Sequence, residues 1–427
     1  MITKKQEVDE LTLIECFDAL APQNIASCLY LQPRELIFLG DQAQIDPYLP
    51  RYRALLSQRN MNTKITCRYA AMDNIESIVR QLQQILRQED DFVIDITGGD
   101  ERVLVAAGAA LASLDQRRRR RITLQQFDPL EGTGKPLGNQ TYLKGLPVRM
   151  SVQEVVQLQG GLLHPYSEQP ALRYTAADMD GLWELIRPDS RLWNKTLGIL
   201  REFESRVGSK THVFLSLDAI RSGISNFDSK LPQVRQLLAQ MDRKGIIEDH
   251  SSRDYLEYTY TSPLMRTCTE KAGNSLEHKA LLEARDLRQQ GQPFFHDCLM
   301  GVNIVWDGGE HDAHKKVKET RNEVDLILVR GMVPLFVSCK NGDIDEEELY
   351  KLHTVTTEFG GPYARKMLIA TDLDGKKPGS CGGLIQRAQD MGIYLVADAA
   401  SLNKEGWAKA FRNAMQYPLA AGKDSMR

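Results

Sequence analysis

The chain has 427 residues, of which 42% are hydrophobic and 26% are charged, and its formal net charge is −3. This composition is typical of a globular protein of two or three domains, and it excludes a membrane-spanning class because no apolar run reaches the about 18 residues that a transmembrane helix needs. The seven cysteines stand singly, which argues against a disulfide framework or a zinc finger. The N-terminus shows no apolar secretion segment, so we expect a reduced, cytoplasmic protein.

Strands alternate with helices between about residue 34 and residue 160. Short apolar runs predict the strands, and amphipathic stretches predict the helices. The predicted strands are 64–70 and 121–128, together with a strand and its exit loop over 35–41 and a strand and its glycine loop over 91–100. The predicted helices are 74–88 and 101–114. This order predicts a parallel, doubly wound sheet, with residues 139–161 as added edge strands and a connector. We therefore take residues 1–165 as the first domain.

The segment from residue 166 to residue 265 differs from what precedes it. It is mostly helical over 183–207 and 230–249, and an alternating strand follows at 255–262. A helix, a short strand, a polar turn and a second strand are typical of a winged helix. Such modules bind DNA or join domains. The acidic side chains near the wing favour the linker role; they are Asp242, Glu248, Asp249 and Asp254.

Residues 266–427 return to an α/β pattern and form the third predicted domain. The predicted helices are 275–290, 344–358, 383–391 and 402–415, and the predicted strands are 294–305, 323–329, 334–340, 366–372 and 393–398. Within this domain, residues 322–343 predict a β-hairpin that turns at Gly331 and Met332. With that turn, Asp325 faces Ser338, and Lys340 is the diagonal neighbour on the same face.

Glu277 begins the preceding helix and shares a stripe with Leu281 and Ala284. An unpaired carboxylate on an apolar stripe is costly to bury, so a divalent metal, a salt bridge or a favourable helix-end charge must account for it. Carboxylates, a metal-bound water and a lysine are the groups that phosphodiester hydrolysis requires. The acids hold Mg²⁺ or Mn²⁺, the metal activates water, and the lysine stabilises the developing charge.

These residues resemble the core of the PD-(D/E)xK nucleases, which have the restriction-endonuclease-like fold. The phrase NEVDLILVRGMVPLFVSCKNG is similar to the signature of the CRISPR ancillary nucleases of this type. The resemblance implies that Glu277 and Asp325 are metal ligands, that the backbone carbonyl of Cys339 is another, and that Lys340 is the catalytic lysine.

Ser338 departs from that family pattern, which has Glu, Asp or Gln at this position. A serine supplies no carboxylate, so Glu277 or Glu323 would have to compensate, and an inactive, nuclease-like domain is the alternative. His311 and His314 are interpreted as loop residues rather than metal ligands.

A glycine loop, Thr97-Gly98-Gly99, joins a predicted strand to a predicted helix. Backbone N–H groups at a helix N-terminus bind anions well, although a tight turn without a ligand is equally compatible with the loop. The motif is neither a Walker A motif nor GxGxxG, so ATP and NAD are poorly supported.

Together with the nuclease signature, this loop resembles the CARF domain, a sensor of cyclic oligoadenylates in type III CRISPR immunity. The resemblance implies a homodimer that binds cyclic tetra-adenylate across its two-fold axis, where Thr97-Gly98-Gly99 and Gly40-Asp41-Gln42 line the pocket. Related sensors have Thr-Lys after the glycines, whereas this chain has Asp100-Glu101-Arg102. Arg102 is the candidate replacement for that lysine.

The sequence thus predicts an allosteric endonuclease of DNA, RNA or both, gated by cyclic tetra-adenylate in antiviral defence. The slight negative charge fits a gate, because a constitutive nucleic-acid binder is usually basic. One alternative is a ligand-responsive DNA-binding regulator with an inactive nuclease-like domain. Another is a constitutive repair or restriction-type nuclease whose N-terminal domain is structural.

Overall fold

The structure is a computed structural model that describes residues 11–18, 22–88, 90–99, 101–137, 145–163, 173–205, 210–271, 273–306, 321–342, 344–371, 373 and 382–417. His311, His314 and Asp100 lie outside these residues. Across the described ranges, no helix is long and apolar enough to cross a membrane.

A six-stranded sheet organises the first part of the chain, in the order β3-β2-β1-β4-β5-β6. Its strands are β1 (Leu11–Cys16), β2 (Glu35–Gly40), β3 (Lys64–Tyr69), β4 (Asp91–Asp95), β5 (Ile122–Asp128) and β6 (Thr133–Pro136). Its helices are α1 (Gln23–Leu31), α2 (Gln42–Ile45), α3 (Leu49–Gln58), α4 (Ile75–Ile85), α5 (Glu101–Ala112) and α6 (Gln116–Arg119). Strands β1 to β5 are parallel and β6 is antiparallel to β5, which confirms the predicted doubly wound sheet.

Strand β1 lies in the middle of this sheet, between β2 and β4. The chain therefore leaves β1 toward one side and returns from β3 to β4 on the other. The carboxyl ends of β1 and β4 flank this switch point, which is where open α/β sheets bind ligands. The alternation predicted from the sequence begins at residue 34, so both β1 and α1 were not predicted.

The middle of the chain is a winged helix. Helix α7 (Val152–Leu158) and strand β7 (Gly161–Leu163) precede it in the chain. The module itself comprises α8 (Asp180–Ile186), α9 (Ser190–Glu204), β8 (His212–Ser216), α10 (Leu217–Arg221), α11 (Phe227–Arg243), β9 (Ile247–Asp249) and β10 (Tyr255–Tyr260). The three strands of the module form a sheet in the order β8-β10-β9. The helix predicted over 183–207 is divided in two, with Pro188 between α8 and α9, because proline lacks the backbone donor that helix continuation needs.

A second six-stranded sheet carries the candidate nuclease residues, in the order β17-β16-β15-β14-β13-β7. After α12 (Pro263–Glu270) and α13 (Asn274–Asp286) come β11 (Arg288–Gln289), β12 (Gln292–Pro293), β13 (Asp297–Trp306), β14 (Arg321–Arg330), β15 (Val333–Lys340), α14 (Glu346–Gly360), β16 (Arg365–Ala370), α15 (Gly382–Asp390), β17 (Ile393–Val396) and α16 (Lys404–Gln416). Strand β7 pairs with β13, so residues 161–163 extend this sheet. The domain boundaries at 165 and 265 stay predictions.

Both faces of the second sheet are buried. One apolar cluster joins α13, α16 and the winged helix to residues such as Leu326, Leu335 and Val337. A second cluster joins α14, α7 and the first sheet to Ile327 and Phe336 on the opposite face. The second sheet is therefore the layer through which the first domain and the winged helix both contact the candidate nuclease site.

Candidate nuclease site and sensor loop

The β14–β15 hairpin has the register that the sequence predicts. Arg330 pairs with Val333 and Leu326 with Val337, so the next pair along the strands brings Asp325 opposite Ser338. The turn residue Gly331 has a φ of +61°, a left-handed conformation that glycine adopts without steric cost. A turn at this position places the side chains of Asp325 and Ser338 on the same face.

Hydrogen bonds hold the Asp325 carboxylate in place. Its Oδ2 accepts from the backbone N–H of Cys339 at 2.7 Å and from the hydroxyl of Ser338 at 3.3 Å. Ser338 thus supports the aspartate instead of supplying a carboxylate of its own. Cys339 packs its side chain into the apolar cluster on the opposite face, as the alternation along β15 predicts.

Glu277 lies in the first turn of α13 and is electrostatically coupled to the hairpin. Burial, together with the negative charges of Asp325 and Glu323, raises the pKa of Glu277 to about 7. Burial also raises the pKa of Asp325, against the hydrogen bond from Cys339 that lowers it. Glu277 and Asp325 are thus two half-buried carboxylates that repel each other when both are ionised. A cation placed between them would offset this repulsion and be stabilised there.

The residues present fit a hydrated Mg²⁺ or Mn²⁺ better than a fully caged metal. Within the described part of the chain, no three His, Cys, Asp or Glu side chains gather into a ligand group. Glu277 and Asp325 supply two carboxylates of the hard oxygen type, and Mg²⁺ usually retains several waters beside one or two carboxylates. The role of the Cys339 carbonyl stays a prediction, and Glu323 is exposed at the rim.

Lys340 ends β15 and forms an ion pair that sequence reasoning did not find. Its Nζ lies 2.6 Å from Oε2 of Glu348, in the first turn of α14. Burial works to lower the pKa of Lys340, but the Glu348 hydrogen bond and the charge of Asp325 outweigh it, so this pKa is raised. Lys340 is therefore a fixed cation beside the two acids. The run of three glutamates after the hairpin was the available signal for Glu348.

The winged helix contacts this site directly. The Nδ2 of Asn194, on α9, donates to the backbone oxygen of Asn341 at 2.9 Å, and the Nδ2 of Asn341 donates to Oδ1 of Asn194 at 2.9 Å. Asn341 follows Lys340 in the chain. These two hydrogen bonds connect α9 of the winged helix to the residue that follows the candidate catalytic lysine.

The glycine loop follows β4, at the carboxyl edge of the first sheet. The backbone N–H of Thr97 donates to Asp95 at 2.6 Å, and the Thr97 hydroxyl accepts from the N–H of Phe127 at 2.6 Å. Gly99 has a φ of +86°. A Cβ at Gly98 would lie 3.1 Å from Nε2 of Gln23 and 3.2 Å from the backbone oxygen of Cys16. Gly98 is therefore closely packed against the residues at the end of β1 and the start of α1.

The second predicted loop lies at the same edge. Gly40 ends β2, and a Cβ there would lie 2.8 Å from the Cβ of Phe17. The Asp41 side chain caps α2 by accepting from the N–H of Ala43 at 2.8 Å, and Gln42 donates to Asp46 at 3.0 Å. These local bonds give Asp41 and Gln42 a structural role, and ligand contact by them stays a prediction. Arg102 is exposed in the first turn of α5.

A row of buried polar residues, which was not predicted from the sequence, lies just beneath this edge. Glu15, Asp95 and Gln125 are paired neighbours on β1, β4 and β5. Each is almost fully buried, and Gln125 donates to Asp95 at 3.2 Å. Burial and the charges of Asp95 and Asp18 raise the pKa of Glu15 well above its usual range.

The chain is similar in fold, over nearly its whole length, to two solved structures. Protein VC1899 from Vibrio cholerae aligns with a TM-score of 0.66 and 17% identity, covering 95% of this chain and 97% of that one. Can2 from Sulfobacillus thermosulfidooxidans, in complex with cyclic tetra-adenylate, aligns with a TM-score of 0.60 and 14% identity, covering 96% and 98%. By sequence, no protein-family model and no curated protein matches the chain.

These likenesses confirm the predicted fold class, because they extend over all three parts of the chain. The chain has the CARF, winged-helix and restriction-endonuclease-like arrangement that the sequence analysis expected. The resemblance to CARF-domain CRISPR ancillary nucleases is thereby confirmed at the level of the fold. At identities this low, function must be argued from the residues themselves.

Proposed function

We propose that the protein is a metal-dependent nuclease whose activity is switched on by cyclic tetra-adenylate in type III CRISPR defence. The observation that carries the proposal is the convergence of Glu277, Asp325 and Lys340, which come from α13, β14 and β15. This convergence occurs in a chain that shares its whole-length fold with Can2, a protein solved in complex with cyclic tetra-adenylate.

Each residue has a separate part in hydrolysis. Glu277 and Asp325, with the Cys339 carbonyl, would hold Mg²⁺ or Mn²⁺, which supplies an activated water and neutralises phosphate charge. Ser338 and the Cys339 N–H fix the orientation of Asp325. Lys340 carries a raised pKa, so at neutral pH it stabilises negative charge on the phosphoryl oxygens rather than accepting a proton.

Gating requires two states with different affinities for the activator. Two first domains, each spanning about 1–165, would pair as a homodimer and bind the cyclic nucleotide between their Thr97-Gly98-Gly99 loops, with Gly40-Asp41-Gln42 and Arg102 around it. The winged helix, placed here at 166–265, passes the change to the nuclease domain through contacts such as that of Asn194 with Asn341. DNA, RNA or both are the proposed substrates.

Cleavage of supercoiled plasmid, single-stranded DNA and RNA tests the proposal, in Mg²⁺ or Mn²⁺ and with or without cyclic tetra-adenylate. We expect cleavage only with the nucleotide and its loss in Asp325→Ala and Lys340→Met. Lys409→Met is the matched control, because Lys409 is exposed on α16. Ser338→Ala removes one long hydrogen bond, so we expect a loss of about tenfold or less.

Two outcomes would reject this proposal in favour of its rivals. Metal-independent, sequence-specific binding to duplex DNA without any cleavage would support a regulator, which the winged-helix topology of α10, α11 and β8 to β10 also permits. Cleavage that is indifferent to the nucleotide would instead support a constitutive nuclease with a structural first domain.

A further inference from the structure

One helix, α14, connects the two candidate sites. It has 15 residues, which corresponds to a length of about 22 Å. Its first turn carries Glu348, which pairs with Lys340. The segment after its last turn, which leads into β16, reaches the loop between β1 and α1 in the first domain.

The contact at the sensor end is a chain of hydrogen bonds. The hydroxyl of Tyr363 donates to Oε1 of Gln23 at 2.6 Å, and Nε2 of Gln23 donates to Oδ2 of Asp18 at 2.9 Å. Gln23 is only 5% exposed. The same Gln23 amide lies against Gly98 of the glycine loop, where an added Cβ would be 3.1 Å away. The side chain of Gln23 therefore lies between Tyr363 and the glycine loop of the predicted activator pocket.

Close packing fixes the exit of the helix. A Cβ at Gly360 would lie 2.4 Å from the Cβ of Ala364 and 3.0 Å from the ring of Phe336. Gly361 has a φ of +73°, and a Cβ there would lie 3.1 Å from the ring of Pro22. The helix body buries its apolar side chains against β15 and β16; they are Leu349, Leu352, Val355 and Phe359. A packed helix of this kind moves as one body rather than bending locally.

We propose that α14 couples the glycine-loop pocket to the catalytic lysine, with Tyr363 as the sensor-side contact and Glu348 as the residue that positions Lys340. The inference rests on the proposed function and names how that site is regulated. An activator that displaces the loop around Gly98 alters the surroundings of Gln23, and Tyr363 transfers the change to the helix that holds Glu348. The coupling requires that the activator favour one placement of α14 over another.

The test uses the full-length protein, cyclic tetra-adenylate and the nucleic acid that the wild type cleaves. Tyr363→Phe and Gln23→Met each remove one partner of the connecting hydrogen bond, and Tyr394→Phe is a matched control whose hydroxyl accepts from Asn413. We expect Tyr363→Phe to lower the activated cleavage rate by about two- to tenfold with nucleotide affinity within about twofold of wild type. The double variant should be no slower than Gln23→Met alone, because both remove the same bond.

Glu348→Gln tests the other end. A positioning role predicts a lower kcat at every activator concentration with an unchanged KM for nucleic acid. The coupling is overturned if Tyr363→Phe is activated like the wild type, or if the losses of the two single variants multiply in the double variant. A wild type that cyclic tetra-adenylate does not activate would instead reject the proposed function, so the two failures are distinguishable.

Discussion

Both burial and repulsion from neighbouring carboxylates raise the pKa of Glu277. Its pKa rises from an ordinary 4.5 to about 7, so between these values the folded chain retains a proton that the unfolded chain has released. Stability therefore falls as pH rises through this interval when no metal is bound. A divalent cation reverses this, because it binds the ionised carboxylate.

We predict that Mg²⁺ or Mn²⁺ raises the melting temperature more at about pH 8 than at about pH 5.5, since Glu277, with a pKa of about 7, is ionised and available to the cation at the higher pH. Differential scanning fluorimetry across this range, with and without the metal, measures the effect. In Glu277→Gln the metal-induced shift should shrink and lose its pH dependence. A metal-induced shift of the same size in Glu277→Gln would remove Glu277 from the ligand set.

At the residue scale, the sequence predicted the hairpin partners but not the ion pair of the lysine. The opposition of Asp325 and Ser338 follows from the turn position alone, because strand register is fixed once the turn is fixed. The pairing of Lys340 with Glu348 depends on how α14 packs across the sheet, and no local pattern encodes that. The buried Glu15 was missed for a different reason, since its strand precedes the segment that was recognised as α/β.

The turn between β14 and β15 depends on a single glycine, Gly331. Gly331 has a φ of +61°, and an added Cβ would lie 2.4 Å from the backbone oxygen of Pro129 and 2.5 Å from that of Leu130. These are backbone atoms of the first domain and have little freedom to withdraw. The backbone N–H of Met332, next to this glycine, also donates to Pro129 at 2.8 Å. The turn therefore sets the hairpin register and the domain contact together.

We predict that Gly331→Ala lowers the free energy of unfolding by more than the roughly 1 kcal/mol that a left-handed alanine costs, because the clash with Pro129 is added to it. Gly198→Ala is the matched control. It lies inside α9 with nothing within 4 Å of an added Cβ, so it should stabilise the protein by up to about 1 kcal/mol. Urea unfolding measures both, and changes of the same sign would contradict the prediction.

The elements themselves were predicted with uneven success. In the third part of the chain the predicted helices and strands agree with the structure to within a few residues, because long amphipathic and apolar runs alternate there without interruption. Strand β8 and helix α10 were missed, since each has only 5 residues and shows too little periodicity. The pairing of β7 with β13 joins residues more than a hundred positions apart, a contact that a single sequence does not encode.

At the scale of the whole molecule, the proposed switch depends on a pocket shared by two chains. The glycine loop and the Gly40 loop lie at the same open edge of the first sheet, and a ring-shaped nucleotide that lies on a two-fold axis contacts both copies of each loop. Because the chain carries a slight negative charge, the proposed activator and substrate would bind through local groups rather than through a general positive field.

We therefore predict one cyclic tetra-adenylate per two chains. Isothermal titration calorimetry gives the ratio, and analytical ultracentrifugation gives the mass of the free and bound protein. Saturation at about 100 times Kd should stabilise the fold by about 2.7 kcal/mol, equally in the wild type and in Asp325→Ala, because Asp325 lies in the second sheet. Gly98→Val should abolish binding, since its side chain would meet Gln23 and the backbone of Cys16. One nucleotide per chain, or binding that survives in Gly98→Val, would place the activator elsewhere and separate the glycine loop from the switch.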